Sequence, residues 1–306
     1  KMNTSSVIAY GCRYRAPLER LINRSPPFLN RCRHLRLLHC QYCLHRRRLS
    51  LSLTVSAALT CSNLPGLFLT GNSLFSRMER FWSTGGINNN KAMVEHLQSY
   101  GVIKSERVAE VMVSVDRALF VPDKSSAYVD SPMPIGFNAT ISAPHMHATC
   151  LELLQENLQP GMYALDIGSG TGYLTACFAL MVGPQGHAAG VEHIPELAAS
   201  SIQNIKRSAA APLLEKGSLS VHVGDGRVGW AEYSGYNAIH VGAAASEIPR
   251  ELVEQLKPGG RMVIPVGSVF QDLKVVDKKV DGSVSVRSET SVRYVPLTSR
   301  DAQLRG

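Results

Sequence analysis

The stretch Met162-Tyr163-Ala164-Leu165-Asp166-Ile167-Gly168-Ser169-Gly170-Thr171-Gly172 carries the pattern that sets the fold. An apolar run leads into three glycines that alternate with small polar residues, and a second apolar run, 173–182, follows at once. This predicts a buried strand, a tight turn and a helix. Glycines at such a turn let the backbone approach a ligand with no Cβ in the way, and the helix start offers unpaired N–H groups. Spacing separates the ligand classes. A dinucleotide fingerprint sets its glycines as G-x-G-x-x-G around a pyrophosphate, and a phosphate P-loop ends in Lys followed by Ser or Thr. Here the spacing is G-x-G-x-G and no Lys follows. The turn therefore suits a nucleoside with no phosphate to cradle.

Downstream, 187–192 predicts a second strand ending in Glu192, near the offset at which an acid meets a ribose in doubly wound folds. A helix over 195–209 and a strand over 219–223 lead to Gly224-Asp225-Gly226-Arg227. Asp225 can accept an exocyclic amine of a base; Asp-Gly is equally an ordinary turn. A strand over 236–241 runs into Gly242 and three alanines, which allow close approach. A helix over 247–256 stops at Pro258-Gly259-Gly260, and a fifth strand covers 261–266. Segments 270–276 and 284–287 pair around Asp281-Gly282, and 291–297 predicts a last strand. Strands alternating with helices imply a doubly wound, mostly parallel Rossmann-like α/β sheet with right-handed crossovers. The strand-rich end adds antiparallel strands near the C-terminus.

Upstream, 79–135 predicts a helical cap and connecting chain without strands. Asn88, Asn89 and Asn90 can cap a helix with Ala92, Met93, His96 and Leu97 on one face. Ser105 starts a second helix, with Glu106 near its positive end and Val108, Val111, Met112 and Val115 as its buried stripe. Residues 136–147 show no clean period, and Pro144 biases Ala143 away from helical geometry; a helix over 147–158 follows. A loop at a helix N-terminus can present N–H groups to a carboxylate, and Thr140 and Ser142 add hydroxyls. His145 and His147, two apart, share no helical face, which argues against a common metal; each suits a structural role or ligand contact.

Charge divides the 306 residues unevenly. Residues 1–78 carry twelve Lys/Arg and one acid, Glu19, a net of +11, while residues 79–306 carry a net of −3 against the total of +8. The basic balance belongs to the N-terminal segment, so a nucleic-acid reading of the body loses its electrostatic support. Arg, Ser and Leu enrichment with almost no acid suits an organelle transit peptide in 1–78. Arg46-Arg47-Arg48 breaks its Leu-rich stretches, so no membrane span forms. Met78 is a second candidate start, giving a product without this segment. Five cysteines lie in the first segment; Cys150 and Cys177 lie in the body, which predicts a reduced domain. Cys40-Gln41-Tyr42-Cys43 has metal-ligand spacing but no second pair follows, so no metal is expected. The body, 79–306, is expected to be one domain: the cap over 79–135, then loop and α/β core over 136–306.

Several stretches together resemble the protein-L-isoaspartate (D-aspartate) O-methyltransferase family. They are Asp130-Ser131-Pro132, Ala139-Thr140-Ile141-Ser142-Ala143-Pro144-His145-Met146-His147, the glycine stretch through Thr175, Val223-Gly224-Asp225-Gly226-Arg227, Leu256-Lys257-Pro258-Gly259-Gly260-Arg261 and Tyr294-Val295-Pro296-Leu297-Thr298. The resemblance covers about 84–298, and the extended form looks like a plant version. It implies S-adenosyl-L-methionine as methyl donor, with Asp166, Gly168, Ser169, Gly170 and Thr171 lining it. Glu192 would hold the ribose, where many relatives have Asp, with His193 beside it. Asp225 and Gly226 would lie at the adenine. Ser142 and His147 would stand where donor meets acceptor, Ser142 carrying the catalytic role, and Ile141, Ser142 and Val295 would frame the isoaspartyl residue. The implied reaction methylates the free α-carboxylate of isoaspartyl residues in age-damaged proteins and peptides, and of some D-aspartyl residues, starting repair through a succinimide. The resemblance also implies a monomer. Localisation is expected in the plastid (chloroplast) for the extended form and in the cytosol for a form starting at Met78, ahead of mitochondrion or nucleus. The alternatives are a methyltransferase for a small molecule or RNA, and an idle adaptor that keeps the fold.

Overall fold

The computed structural model describes residues 87–305. The readings of 1–78, including Met78 and the Cys40/Cys43 pair, lie outside the described residues. Asn89 caps α1 (Asn90–Ser99) by accepting from the Ala92 N–H at 2.9 Å, and Ser105 caps α2 (Glu106–Ser114) through the Val108 N–H at 3.3 Å. Each cap contributes about 1 kcal/mol. The stripe Val108, Val111, Met112 and Val115 is buried as expected.

A hairpin begins at the end of the section expected to be strandless, 79–135, and runs into the aperiodic stretch after it. β1 (Met133–Gly136) and β2 (Ala139–Ile141) form an antiparallel hairpin whose turn holds Phe137 and Asn138 at φ 54° and 55°. Three or four residues are too few for an alternation to show. The next helix, α3 (Pro144–Leu154), starts three residues before the expected 147. Proline lacks the N–H that a first turn leaves unpaired, and the Asp130 carboxylate, far back in the chain, accepts the His145 N–H at 2.9 Å. α3 ends at Leu154, short of 158, where a 3-10 turn, Gln155–Asn157, takes over.

The main sheet contains β3 (Tyr163–Ile167), β4 (His187–Glu192), β5 (Leu219–Val223), β6 (Tyr236–Val241), β7 (Leu256–Gly267), β8 (Gln271–Lys278) and β9 (Val284–Val292) in the order β5-β4-β3-β6-β7-β8-β9. Pairings from β5 across to β7 are parallel; β7/β8 and β8/β9 are antiparallel. Helices α4 (Tyr173–Val182), α5 (Pro195–Lys206), α6 (Ala211–Glu215) and α7 (Arg250–Gln255) fall between the parallel strands. Alternate side chains enter two cores. Ala164, Ala188, Ala238 and Val263 join the core under α1 to α4, while Leu165, Ala189, Ile239 and Met262 join the other; a period of two sends neighbours to opposite faces.

Further boundaries differ from expectation. α5 ends at Lys206 rather than 209, and α6 follows. α7 starts at Arg250, after Pro249, rather than at 247. β7 begins at Leu256, not 261: Tyr236 pairs with Leu256 but Ala238 pairs with Arg261, so 257–260 bulge out of the ladder. Pro258-Gly259-Gly260 thus sits in a bulge within the strand. Ser291 and Val292 belong to β9, and 295–297 lie against Ala244 as an isolated bridge instead of a strand. A short C-terminal helix, α8 (Arg300–Arg305), was not expected.

Chain order runs outward from β3 through β4 to β5, then returns to β6 on the other side of β3. Ligand crevices in such sheets open at this switch point, beyond the strand C-termini. Ile167 pairs with Val241 there, and the Gly242 N–H donates to the Ile167 carbonyl at 2.8 Å.

Candidate active site

The glycine turn closes the end of β3. Gly168, Gly170 and Gly172 have φ of 68°, 52° and 83°, a region that side-chain-bearing residues enter at a cost. Gly168 and Ser169 donate their N–H groups to the Val191 carbonyl at 2.8 and 3.1 Å, strapping the turn to β4. Glu192 completes the strap: one carboxylate oxygen accepts from the Gly170 N–H and the other from the Ile194 N–H, both at 3.0 Å. A Cβ on Gly242 would stand 3.0 Å from the Gly168 carbonyl oxygen. The backbones at the switch point therefore approach as closely as only glycine allows.

Two cavities open at this turn. Each volume includes its open mouth: the first, named the shallow lobe, spans about 550 Å³, and the second, named the deep lobe for its lining of buried polar residues such as Asp166 and His240, about 370 Å³. Ile135, Thr140, Gly168, Gly170 and Gly242 line both. Of the expected residues, Glu192, His193, Gly226 and Val295 line the shallow lobe. Ile141, Ser142, His147, Asp166, Ser169 and Thr171 line the deep lobe. Asp225 stands apart. It adjoins Gly226 in the chain, but its carboxylate accepts from the Arg227 side chain at 2.5–3.1 Å and lines a neighbouring depression with Ile248 and Leu297. The Arg227 guanidinium holds the Asp225 carboxyl below the usual carboxylate range.

Buried polar groups cluster round the deep lobe. Asp166 accepts from the Thr175 hydroxyl at 2.6 Å and pairs with His240 Nδ1 at 2.8 Å. Burial opposes a charge on His240, but Cys150 and the Asp166 hydrogen bond outweigh it and raise its pKa to about 10. His147 lies the other way: burial, then the charge of Arg117, push its pKa well below the ordinary value. The Arg117 NH1 nitrogen meets His147 Nδ1 at 3.2 Å, and its NH2 donates to the Ser142 carbonyl at 2.8 Å.

Gln303 on α8 closes the shallow lobe. Its side-chain amide donates to the Phe137 carbonyl, and its oxygen lies 2.8 Å from His193 Nε2, while Asn138 donates back to its main-chain carbonyl. His240 lines one lobe and Gln303 the other, and Arg117 braces His147 and Ser142 from behind the wall; the sequence reading missed all three. Arg117 lies in an Asp-Arg pair within connecting chain, His240 inside an apolar strand and Gln303 on a short polar helix, and none carries a local signal.

The residues present fit a nucleoside-bearing methyl donor. The turn is a cradle that Cβ atoms would fill, and the Ser169 hydroxyl is buried with no partner. Among the described residues no group of three or more His, Cys, Asp or Glu is placed to hold a metal, and no helix is long and apolar enough to cross a membrane.

Residues 88–302 match the family model described as protein-L-isoaspartate(D-aspartate) O-methyltransferase. The chain is 70% identical over 229 residues to protein-L-isoaspartate O-methyltransferase 1 of Arabidopsis thaliana, covering 75% of this chain and 100% of that protein. It is 63% identical over 263 residues to protein-L-isoaspartate O-methyltransferase 2 of the same plant, covering 86% and 83%. It superposes with a TM-score of 0.64, at 34% identity, on a crystal structure described as a protein-L-isoaspartate O-methyltransferase from Plasmodium falciparum in complex with S-adenosyl-L-homocysteine, over 69% of this chain and 98% of that one. The glycine turn, its Glu192 strap and the Ser142 loop therefore sit in a chain that belongs to the protein-L-isoaspartate(D-aspartate) O-methyltransferase family.

Proposed function

We propose that the shallow lobe takes the nucleoside end of S-adenosyl-L-methionine, and that the deep lobe joins donor to acceptor at Ser142. The observation that carries this is the shared lining of the two lobes, Ile135, Thr140, Gly168, Gly170 and Gly242. A donor lying across that waist reaches both. The enzyme methylates the free α-carboxylate of isoaspartyl residues in damaged proteins and peptides, and the resulting ester closes to a succinimide. S-adenosyl-L-methionine supplies an electrophilic methyl group on a sulfonium sulfur. Gly168, Ser169, Gly170 and Thr171 hold the donor, and Glu192 accepts from its ribose with His193 alongside. Gly226 lies at the base, and Asp225 reaches the base's amine only by sharing its carboxylate with Arg227.

No general base is needed. An isoaspartyl α-carboxylate, with a pKa near ~4, is ionised at neutral pH. Transfer discharges both carboxylate and sulfonium, so the site has to align the groups and exclude water. Ser142 bonds one carboxylate oxygen and aims the other, with Ile141 and Val295 framing the residue. A tighter electrostatic grip would stabilise the charged ground state and slow the step.

The test uses the full chain, methyl-labelled donor and two peptides that differ only in Asp or isoAsp. Base-labile ester on the isoAsp peptide alone is the expected result; donor binding with no ester on either peptide refutes the assignment. We further infer that 79–306 act as one methyltransferase domain and as a monomer, which light scattering checks. The composition of 1–78 supports plastid import for the extended form and cytosolic residence for a form starting at Met78. Fluorescent fusions of the two forms distinguish these.

A further inference from the structure

Arg117 is fully buried and makes no ion pair among the described residues. Burying an unpaired charge is costly, so its retention calls for an explanation. Its NH2 donates to the Ser142 carbonyl and its NH1 faces His147 Nδ1, while Nε has no partner. The Tyr173 ring lies 5.8 Å from the guanidinium carbon, within cation–π range. Arginine cannot accept a hydrogen bond. His147 Nδ1 must therefore accept from it, and the ring proton of a neutral His147 sits on Nε2. An imidazolium would set a donor against a donor.

We infer that Arg117 is a positioning residue that fixes His147 as its neutral Nε2–H tautomer and clamps the Ser142 backbone, so that the wall of the deep lobe offers an N–H donor to a bound carboxylate. This rests on the proposed reading of that lobe. Two carboxylates come within that reading: the acceptor's own, and the amino-acid end of the donor. The charged and titratable groups that act on His147 agree with a neutral ring. Arg117 approaches from the chain after α2, His240 from β6 and His145 from the same helix, and all three oppose a second positive charge; burial acts in the same direction. The Tyr173 ring covers it at 4.8 Å from α4. Asp130, which favours the Arg117 charge, is itself hydrogen-bonded to His145.

The test is the ¹⁵N spectrum of the full chain labelled at histidine, with His147→Gln identifying the signal. The expected signal has a protonated Nε2 and a bare Nδ1 and stays unchanged from pH 8 to 6. A protonated Nδ1, or a ring that titrates between pH 6 and 7, overturns the inference. The spectrum needs no turnover, so failure of the repair reading shows separately, as absent ester. Arg117→Lys keeps a cation but loses the fork. It is expected to lower kcat by about a hundredfold, the scale of a misplaced reacting group. A rise in peptide KM assigns the carboxylate to the acceptor; a rise in donor KM assigns it to the donor. A folded Arg117→Lys chain with kcat and both KM values unchanged refutes the positioning role, and thermal melting establishes that it is folded.

Discussion

Replacing Glu192 by Gln tests the strap on the glycine turn. Both carboxylate oxygens are committed, to the Gly170 and Ile194 N–H groups at 3.0 Å each, and the residue is only 6% exposed. Glutamine keeps the shape but offers one acceptor oxygen, so one of the two N–H groups then faces an NH2 group. A hydrogen bond to a charged group contributes about 1.5–3 kcal/mol. For a domain of this size each kcal/mol lowers Tm by about 2–4 °C, so Glu192→Gln should melt about 3–12 °C below the parent. The same oxygens are the proposed ribose acceptors, and an equal loss in binding weakens donor affinity by roughly 10- to 150-fold. Differential scanning calorimetry and titration with S-adenosyl-L-homocysteine measure the two effects. A variant whose Tm and Kd both match the parent's refutes the reasoning, since neither the strap nor the ribose contact would then carry energy. A lowered Tm with unchanged Kd leaves the strap and removes the ribose role.

Gly242→Ala puts a methyl 3.0 Å from the Gly168 carbonyl and 3.3 Å from that of Ile167, both backbone atoms that cannot step aside; it should destabilise by about 1–3 kcal/mol and weaken donor binding, measured by melting and titration. Gln303→Ala removes two side-chain hydrogen bonds that hold α8 over the shallow lobe; at about 0.5–1.5 kcal/mol each, donor affinity should fall by roughly 5- to 150-fold, with most of the change in the dissociation rate. For His240, whose folded pKa of about 10 lies above its ordinary value, the stabilisation is complete below about pH 6.5 and is lost as pH rises through 10. His147, depressed in the fold, works oppositely: its contribution is present above the ordinary histidine pKa and fades as pH falls below it. Denaturation midpoints across pH 5 to 10 should therefore flatten on the alkaline side in His240→Gln and on the acid side in His147→Gln.

Much of the architecture was legible because it is local and periodic. The run into Gly168 and the fully buried β4 read as strands from their apolar content alone, and the caps at Asn89 and Ser105 follow from side chains that reach a donor three residues on. Glu192 was legible as a candidate ligand contact from its place at a strand end, and it lines the shallow lobe, although its backbone strap was not legible. Boundaries failed where a distant partner decided them. α3 begins early because Asp130 receives its first free N–H, and Pro258-Gly259-Gly260 stays inside β7 because the pairing with β6 tolerates a bulge.

The sequence by itself determined the alternation of strands and helices, the phosphate-free spacing of the glycine turn, the basic N-terminal segment and the residues that resemble one methyltransferase family. Those properties are written in neighbouring residues and in short periods. Only the tertiary structure brought Arg117 to His147 across 30 positions, His240 to Asp166 across 74 and Gln303 to the β1–β2 turn across 166. Each of these contacts joins separate elements, whose meeting depends on strand order and on how the helices pack. A hydrogen bond of that kind leaves no period in the chain, because the donor and acceptor become neighbours only once both apolar faces of the sheet are buried.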